Sequence, residues 1–270
     1  MAESKHGFSF PHRHNYYMLM LATAGSGRQL IDFETYDVTP GQLYLMSPGM
    51  IHAWEENNAL KGFDLFFTAD FFTQRYNINK LYEFPFFSLP QRQQPMVELN
   101  EKEHRQINEL FEQMLEAYES GLQDGLMSML RSYLNIILVR AQRIYTKGQP
   151  LQREDSPSRN LIQQFELLIE QHHREYRLVK DYGKLLHITP NHLNAVCREK
   201  TGRSAGDLIR NRIMLEAKRM LAHDRRTVGE IGSSLNFNDT AYFCRFFKKY
   251  EGATPEQFRR QLLQPRTAPK

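Results

Sequence analysis

Apolar positions recur along this chain with two different periods, and the change from one to the other falls near residue 100. Ahead of it, β-favouring runs over 16–22, 42–46 and 62–68 are punctuated by glycine and proline, the spacing of a small antiparallel barrel or sandwich. Thr39-Pro40-Gly41 and Ser47-Pro48-Gly49 bracket the middle run with turn chemistry. Proline presets its own φ, and glycine accepts the positive φ of a tight turn. Five phenylalanines from Phe63 to Phe72 read as strand and core packing. From Asn100 the period lengthens: Ile107, Leu110, Met114 and Ala117 recur at three- and four-residue steps with glutamates between them, which predicts an amphipathic helix. Glycines at 121 and 125 interrupt it, and a second apolar stripe runs from Leu126 to Ala141. The two helices make an αα-hairpin.

The polar, proline-containing segment 146–158 has the composition of an exposed connector. After it, Leu161, Ile162, Phe165, Leu168 and Ile169 mark an opening helix over 160–173, and a short helix follows over 178–187. Thr189-Pro190 then supplies a hydroxyl N-cap and a proline at the first helical position. In the helix to Lys200, Leu193, Val196 and Cys197 share the inward face, which leaves Asn191, Asn194, Ala195 and Arg198 facing elsewhere.

The same design returns further on. Thr227 and Glu230 form a capping box, Asn238-Asp239 supplies the next cap, and Phe243 and Phe247, joined by Phe246, face inward. Thr240, Ala241, Tyr242, Arg245, Lys248 and Lys249 remain for the outer side, and Thr254-Pro255 opens a closing helix through Leu262. Leu193 maps onto Phe243, Arg198 onto Lys248, Gly202 onto Gly252 and Ser204 onto Thr254, all at an offset of 50 residues. Between the copies, residues 204–221 contain no proline and should run as one helix of about 25 Å.

Composition adds three constraints. At 270 residues and 41% hydrophobic content the chain can build two modest globular domains with separate cores. No apolar run reaches the roughly 18 residues of a membrane span, and the first ten residues lack the pattern of a signal peptide. A soluble cytoplasmic protein without a membrane partner is expected. The two cysteines, Cys197 and Cys244, are too few for a disulfide framework and are expected as free thiols, Cys197 as a buried hydrophobe. The net charge of +4 is unevenly spread: residues 159–270 hold 21 Lys and Arg against 12 Asp and Glu, a net of +9, whereas residues 1–158 carry −5. The basic half is where a polyanion would bind.

The segment FPHRHNYYMLMLATAGSGRQLIDFETYDVTPGQLYLMSPGMIHAW resembles the cupin-type sensor domain at the front of AraC-type bacterial transcription regulators. His12, His14 and His52 stand where cupin enzymes, which this segment also resembles, hold a metal. The accompanying carboxylate is missing, with Met18 near its place. No metal and no cofactor are therefore expected, and the histidines read as polar lining. With Arg28, Tyr44 and Trp54 they are the candidate effector-binding residues, since polar-tipped and large groups suit a small-molecule pocket.

The resemblance is most specific in the basic half. GKLLHITPNHLNAVCREKTGRSAGDLIRNRIMLEAKRML and TVGEIGSSLNFNDTAYFCRFFKKYEGATPEQFR look like the double helix-turn-helix DNA-binding domain of the AraC/XylS family. The fold class expected is α+β: an N-terminal cupin-like β-barrel with a two-helix dimerisation hairpin, then an all-α domain with two helix-turn-helix motifs joined by a linker helix. The boundaries are 1–95 for the barrel, 96–147 for the hairpin, 148–158 for the linker and 159–270 for the DNA-binding domain.

The resemblance implies Asn191, Asn194, Ala195 and Arg198 in the first motif, and Thr240, Tyr242, Arg245 and Lys248 in the second, as DNA-binding positions. Arginine and asparagine suit bidentate base contacts, and Lys248 suits a phosphate. It further implies an activator without catalytic residues that forms a homodimer. Its partners would be double-stranded DNA, a small-molecule effector of unspecified identity and RNA polymerase. Three positions depart from the family pattern: Gly183 and Gly232 stand where alanine is usual, and Asn236 replaces a turn glycine. Cys197 also stands where phenylalanine is common, which points to the second motif as the stronger half. A competing reading, a metal-dependent cupin enzyme with an appended helical domain, is opposed by the missing carboxylate and the basic repeat.

Overall fold

The computed structural model describes residues 11–54, 60–74, 81, 84–87, 95–121, 124–147 and 157–263. The α+β class holds: among the described residues the strands lie within the first 98 positions, and the chain from Glu101 on is helical. The chain divides into two compact units between Arg153 and Glu154. Most of the polar connector lies outside the described residues.

The first unit contains β1 (His12–Arg13), β2 (Tyr17–Ala24), β3 (Gly27–Ile31), β4 (Glu34–Val38), β5 (Gln42–Met46), β6 (Ile51–Trp54), β7 (Lys61–Phe67) and β8 (Met96–Glu98). They form two four-stranded sheets, β1-β6-β3-β4 and β7-β2-β5-β8, in which the described pairings are antiparallel. A short helix α1 (Ala69–Thr73) follows β7. Then come the long helices α2 (Glu101–Glu119) and α3 (Leu126–Tyr145).

Strand alternation explains why β2 reads as a continuous apolar run: it is covered on both faces. Met18, Met20 and Ala22 join Ile31, Val38, Tyr44, Met46 and Met50 in the core between the sheets. Tyr17, Leu19 and Leu21 join Leu43 and Leu45 on the other face, against Ile107, Phe111, Met114, Leu130, Leu134, Ile137 and Leu138 of the hairpin. Each such fully buried side chain contributes about 1.5–3 kcal/mol relative to exposure. Asn100 and Glu103 close a capping box at the start of α2. The αL residues Gly121 (φ 68°) and Gly125 (φ 79°) lie between the two helices. On the hairpin's outer side Leu115, Tyr118, Met127, Met129 and Ile136 stay exposed.

The second unit comprises α4 (Pro157–His172), α5 (Val179–Leu185), α6 (Pro190–Thr201), α7 (Ala205–His223), α8 (Val228–Ser234), α9 (Thr240–Glu251) and α10 (Pro255–Leu263). The repeat seen in the sequence is a repeat of termini. Thr189 and Asp239 cap α6 and α9, and Gly202 (φ 70°) and Gly252 (φ 83°) end them in the left-handed conformation. Ser204 with Asp207, and Thr254 with Gln257, then form reciprocal caps for the helices that follow. In the second motif Phe237, Phe243, Phe247 and Phe258 make a chain of aromatic contacts. In the first, Leu193 and Cys197 are fully buried, and aromatic bulk comes instead from Phe165 and Tyr182, whose ring centroids are 5.5 Å apart. Gly183 and Gly232 are places of close approach: a Cβ would lie 2.8 Å from the Ile188 carbonyl oxygen in one case and 3.1 Å from the Phe243 ring in the other.

The linker helix α7 also carries charge into the core. Arg212, Glu216 and Arg219 are buried. Arg212 donates to both carboxylate oxygens of Glu170 on α4, at 2.8 and 3.0 Å, and to Glu216 at 3.1 Å. Arg174 donates to the other Glu216 oxygen at 2.6 Å. Burial alone would raise the Glu216 carboxyl, but Arg212, Arg174 and Arg219 outweigh it and hold it well below the usual carboxylate range.

Candidate functional site

Two helices present polar outer faces built for contact. On α6, burial of Leu193, Val196 and Cys197 turns Asn191, Ala195 and Arg198 to the exposed side, beside His192 and Glu199. On α9, Phe243 and Phe247 are buried, while Thr240, Ala241, Tyr242, Arg245, Lys248 and Lys249 are exposed. The Arg245 side chain is 70% exposed, and its guanidinium lies 3.9 Å from the Asp239 carboxylate. That carboxylate is engaged in capping the Ala241 and Tyr242 amides at 3.0 Å each, so its ion pair with the arginine is distant and solvated. The 19 residues of α7 give a spacer of about 28 Å. Both cysteines are free thiols, Cys197 buried and Cys244 partly so, and burial raises the Cys244 thiol.

Asn194 departs from the expected face. Its amide nitrogen donates to the Pro190 carbonyl at 3.1 Å, and its oxygen accepts from the Ala205 amide at 3.0 Å. Both ends are engaged in tying α6 to the first turn of α7, because a half-buried asparagine beside an unpaired helix N-terminus satisfies one of its orphan donors. Its side chain thus serves the joint between these two helices.

Between the sheets of the first unit, His12, His14 and His52 come together. One ligand atom from each lies within 4.8 Å of the others, and among the described residues no carboxylate belongs to the cluster. Met18, near the position an acid would take, is buried in the interior core. Three imidazoles offer nitrogen ligands to a metal ion, but no anionic ligand stands with them among the described residues. Burial first, and then His12 and His14, lower the His52 pKa to about 3.

Tyr44 is fully buried in that interior, with its hydroxyl donating to Gln42 Oε1 at 3.1 Å, and Trp54 packs against the same core. Arg28 lies apart from this interior. Gln29 and Ile31 of β3 point inward, so strand alternation turns Arg28 outward. There it pairs with Asp37 at 2.8 Å, both side chains more than half exposed. The inward polar residue missed by sequence reasoning is Gln29. It is fully buried, and its Nε2 lies 3.3 Å from His52 Nδ1. Gln29 Oε1 and His52 Nε2 are buried polar atoms without a hydrogen-bond partner. Parity with Ile31 is the signal that would have found it.

A ligand-binding double sheet followed by paired helix-turn-helix motifs defines a DNA-binding transcription regulator that responds to an effector. The model of the AraC-like ligand binding domain matches residues 2–136, and that of a helix-turn-helix domain matches residues 182–261. The chain belongs to the AraC family of transcription regulators. It is similar to the HTH-type transcriptional activator RhaR of Pectobacterium carotovorum, 24% identical over 94% of this chain and 87% of that one. It is also similar to the arabinose operon regulatory protein of Escherichia coli, 22% identical over 90% and 80%. Among solved structures, ToxT of Vibrio cholerae covers 95% of this chain and 93% of its own, with 11% identity and a TM-score of 0.45. Among the described residues no helix is long and apolar enough to cross a membrane.

Proposed function

We propose that α6 and α9 are recognition helices that enter successive major grooves of one operator, with α9 the stronger reader. The observation that carries this reading is the pair of exposed polar helix faces joined by a single 19-residue helix, since successive grooves on one face of DNA lie about 34 Å apart. On α9, Arg245 reads a base edge, Thr240 and Tyr242 flank it, and Lys248 neutralises phosphate. On α6, Asn191 and Ala195 face bases and Arg198 reaches the backbone. Residues 159–270 form this reader, 148–158 the connector, 96–147 the dimerisation hairpin and 1–95 the sensor.

The interior lined by His12, His14, Tyr44, His52 and Trp54, with Gln29 added, receives the effector. The exposed apolar positions Leu115, Tyr118, Met127, Met129 and Ile136 favour pairing with a second copy of the hairpin. Relatives named as transcriptional activators support activation, and hence contact with RNA polymerase in a bacterial cytoplasm. Catalytic residues have no part in this reading.

Arg245→Ala tests it. Affinity should fall by about 1–3 kcal/mol at operators with the preferred base at one position and change little at operators already altered there. Fluorescence anisotropy over a set of single-base operator variants measures this. An equal loss across all variants would make Arg245 a phosphate contact and remove it as a reader.

A further inference from the structure

The two motifs are joined covalently through α7, and they also touch at a second place. In the loop between α4 and α5, the Glu175 main-chain oxygen accepts a hydrogen bond from Asn236 Nδ2 at 2.6 Å. Two residues on, the Arg177 guanidinium carbon lies 4.3 Å from the Phe237 ring centroid and 5.9 Å from that of Tyr242. Asn236 and Phe237 form the turn of the second motif, and Tyr242 lies in the first turns of α9. A loop at the head of the first motif therefore grips the turn of the second.

Asn236 sits at φ 60°, where asparagine is among the few tolerated non-glycine residues. A glycine would take that φ with less strain, yet would have no amide to offer Glu175. Phe237 is 3% exposed and anchored against Phe243, with ring centroids 5.1 Å apart. The Arg177 cation thus rests on a ring that does not move independently of the second motif's core. A cation over an aromatic face and a neutral hydrogen bond are each modest, but they act here on an angle rather than on a fold. The helix α7 is the covalent path between the two motifs, and a second tie at its side adds a constraint on the angle between them.

We infer that the Glu175–Asn236 hydrogen bond and the Arg177–Phe237–Tyr242 stack form a latch that fixes the two recognition helices relative to each other. The latch thereby sets which spacing between half-sites the protein accepts. Glu175, Arg177 and Asn236 are positioning residues in this scheme. The inference rests on the two-helix reading above and adds to it a determinant of spacing.

The test uses the full chain and a bipartite operator whose spacer is lengthened or shortened by one and two base pairs. Wild type should prefer one spacing. Asn236→Gly, which suits the backbone and removes the amide, and Arg177→Ala should each lower the preferred-to-shifted affinity ratio, and together by roughly threefold to tenfold. Preferences at individual bases should stay unchanged, and circular dichroism should show an intact fold. Arg177→Lys keeps the charge and loses the planar stack, so it should not restore the ratio. If Arg177 served only to touch phosphate, alanine would weaken all spacings equally and lysine would recover them, which would overturn the latch. A wild-type spacing preference that survives in the double variant would overturn it as well. Absence of any spacing preference in wild type would sink the two-helix reading itself.

Discussion

Glu216→Ala should lower the stability of the DNA-binding unit by about 3–5 kcal/mol, the range for removing one partner from a buried ion pair. Glu216 is 2% exposed and is shared by Arg212 at 3.1 Å and Arg174 at 2.6 Å. Without it, Arg212 keeps Glu170 as its carboxylate, and Arg219, 1% exposed, loses a nearby anion. An isosteric Glu216→Gln retains hydrogen-bond acceptance on one side and should cost less than the alanine. The chain's single tryptophan, Trp54, lies in the first unit. The expected signature is therefore a helical circular-dichroism transition moved to lower denaturant while the Trp54 fluorescence transition stays in place. A shift of less than about 1 kcal/mol would mean that water already shares the site.

The second large effect is acid lability of the first unit. The unfolded chain protonates His52 near its ordinary value of 6.5, whereas burial and the neighbouring His12 and His14 lower it to about 3 in the folded unit. The unfolded state thus binds the extra proton between those values, so stability is full above pH 6.5 and declines as pH falls toward 3. The decline should approach about 1.4 kcal/mol per pH unit over that window. Denaturant titrations of Trp54 fluorescence at several pH values measure it directly. His52→Gln should flatten the dependence, and an unchanged slope in that variant would assign the lability to other groups.

Much of this architecture is legible in the chain because it depends on local chemistry. The Thr189-Pro190 and Thr227/Glu230 caps, the left-handed glycines 202 and 252, and the apolar stripes of the hairpin each announce themselves at short range. What escapes is long-range or carries no local signal. The β3–β4 hairpin turns at Asp32-Phe33, both at positive φ (44° and 79°), where aspartate and phenylalanine lack the usual glycine or asparagine signature. The sequence alone does not say which face of β3 carries Arg28, because one residue's shift in a strand exchanges the faces. The fates of Asn194 and Asn236 were settled by partners 11 and 61 residues away. The ion network is equally hidden: no local signal marks Arg212 and Glu216 as buried, and their partners include Glu170 on α4, 42 residues away from Arg212.

Selection of binding sites from random DNA by the full chain tests the central claim most directly. The expected result is an enriched motif of two blocks separated centre to centre by about 10–10.5 base pairs. The block with the higher information content should lose one base preference in Arg245→Ala. No enrichment over bulk DNA, or a single undivided block indifferent to Arg245, would contradict it.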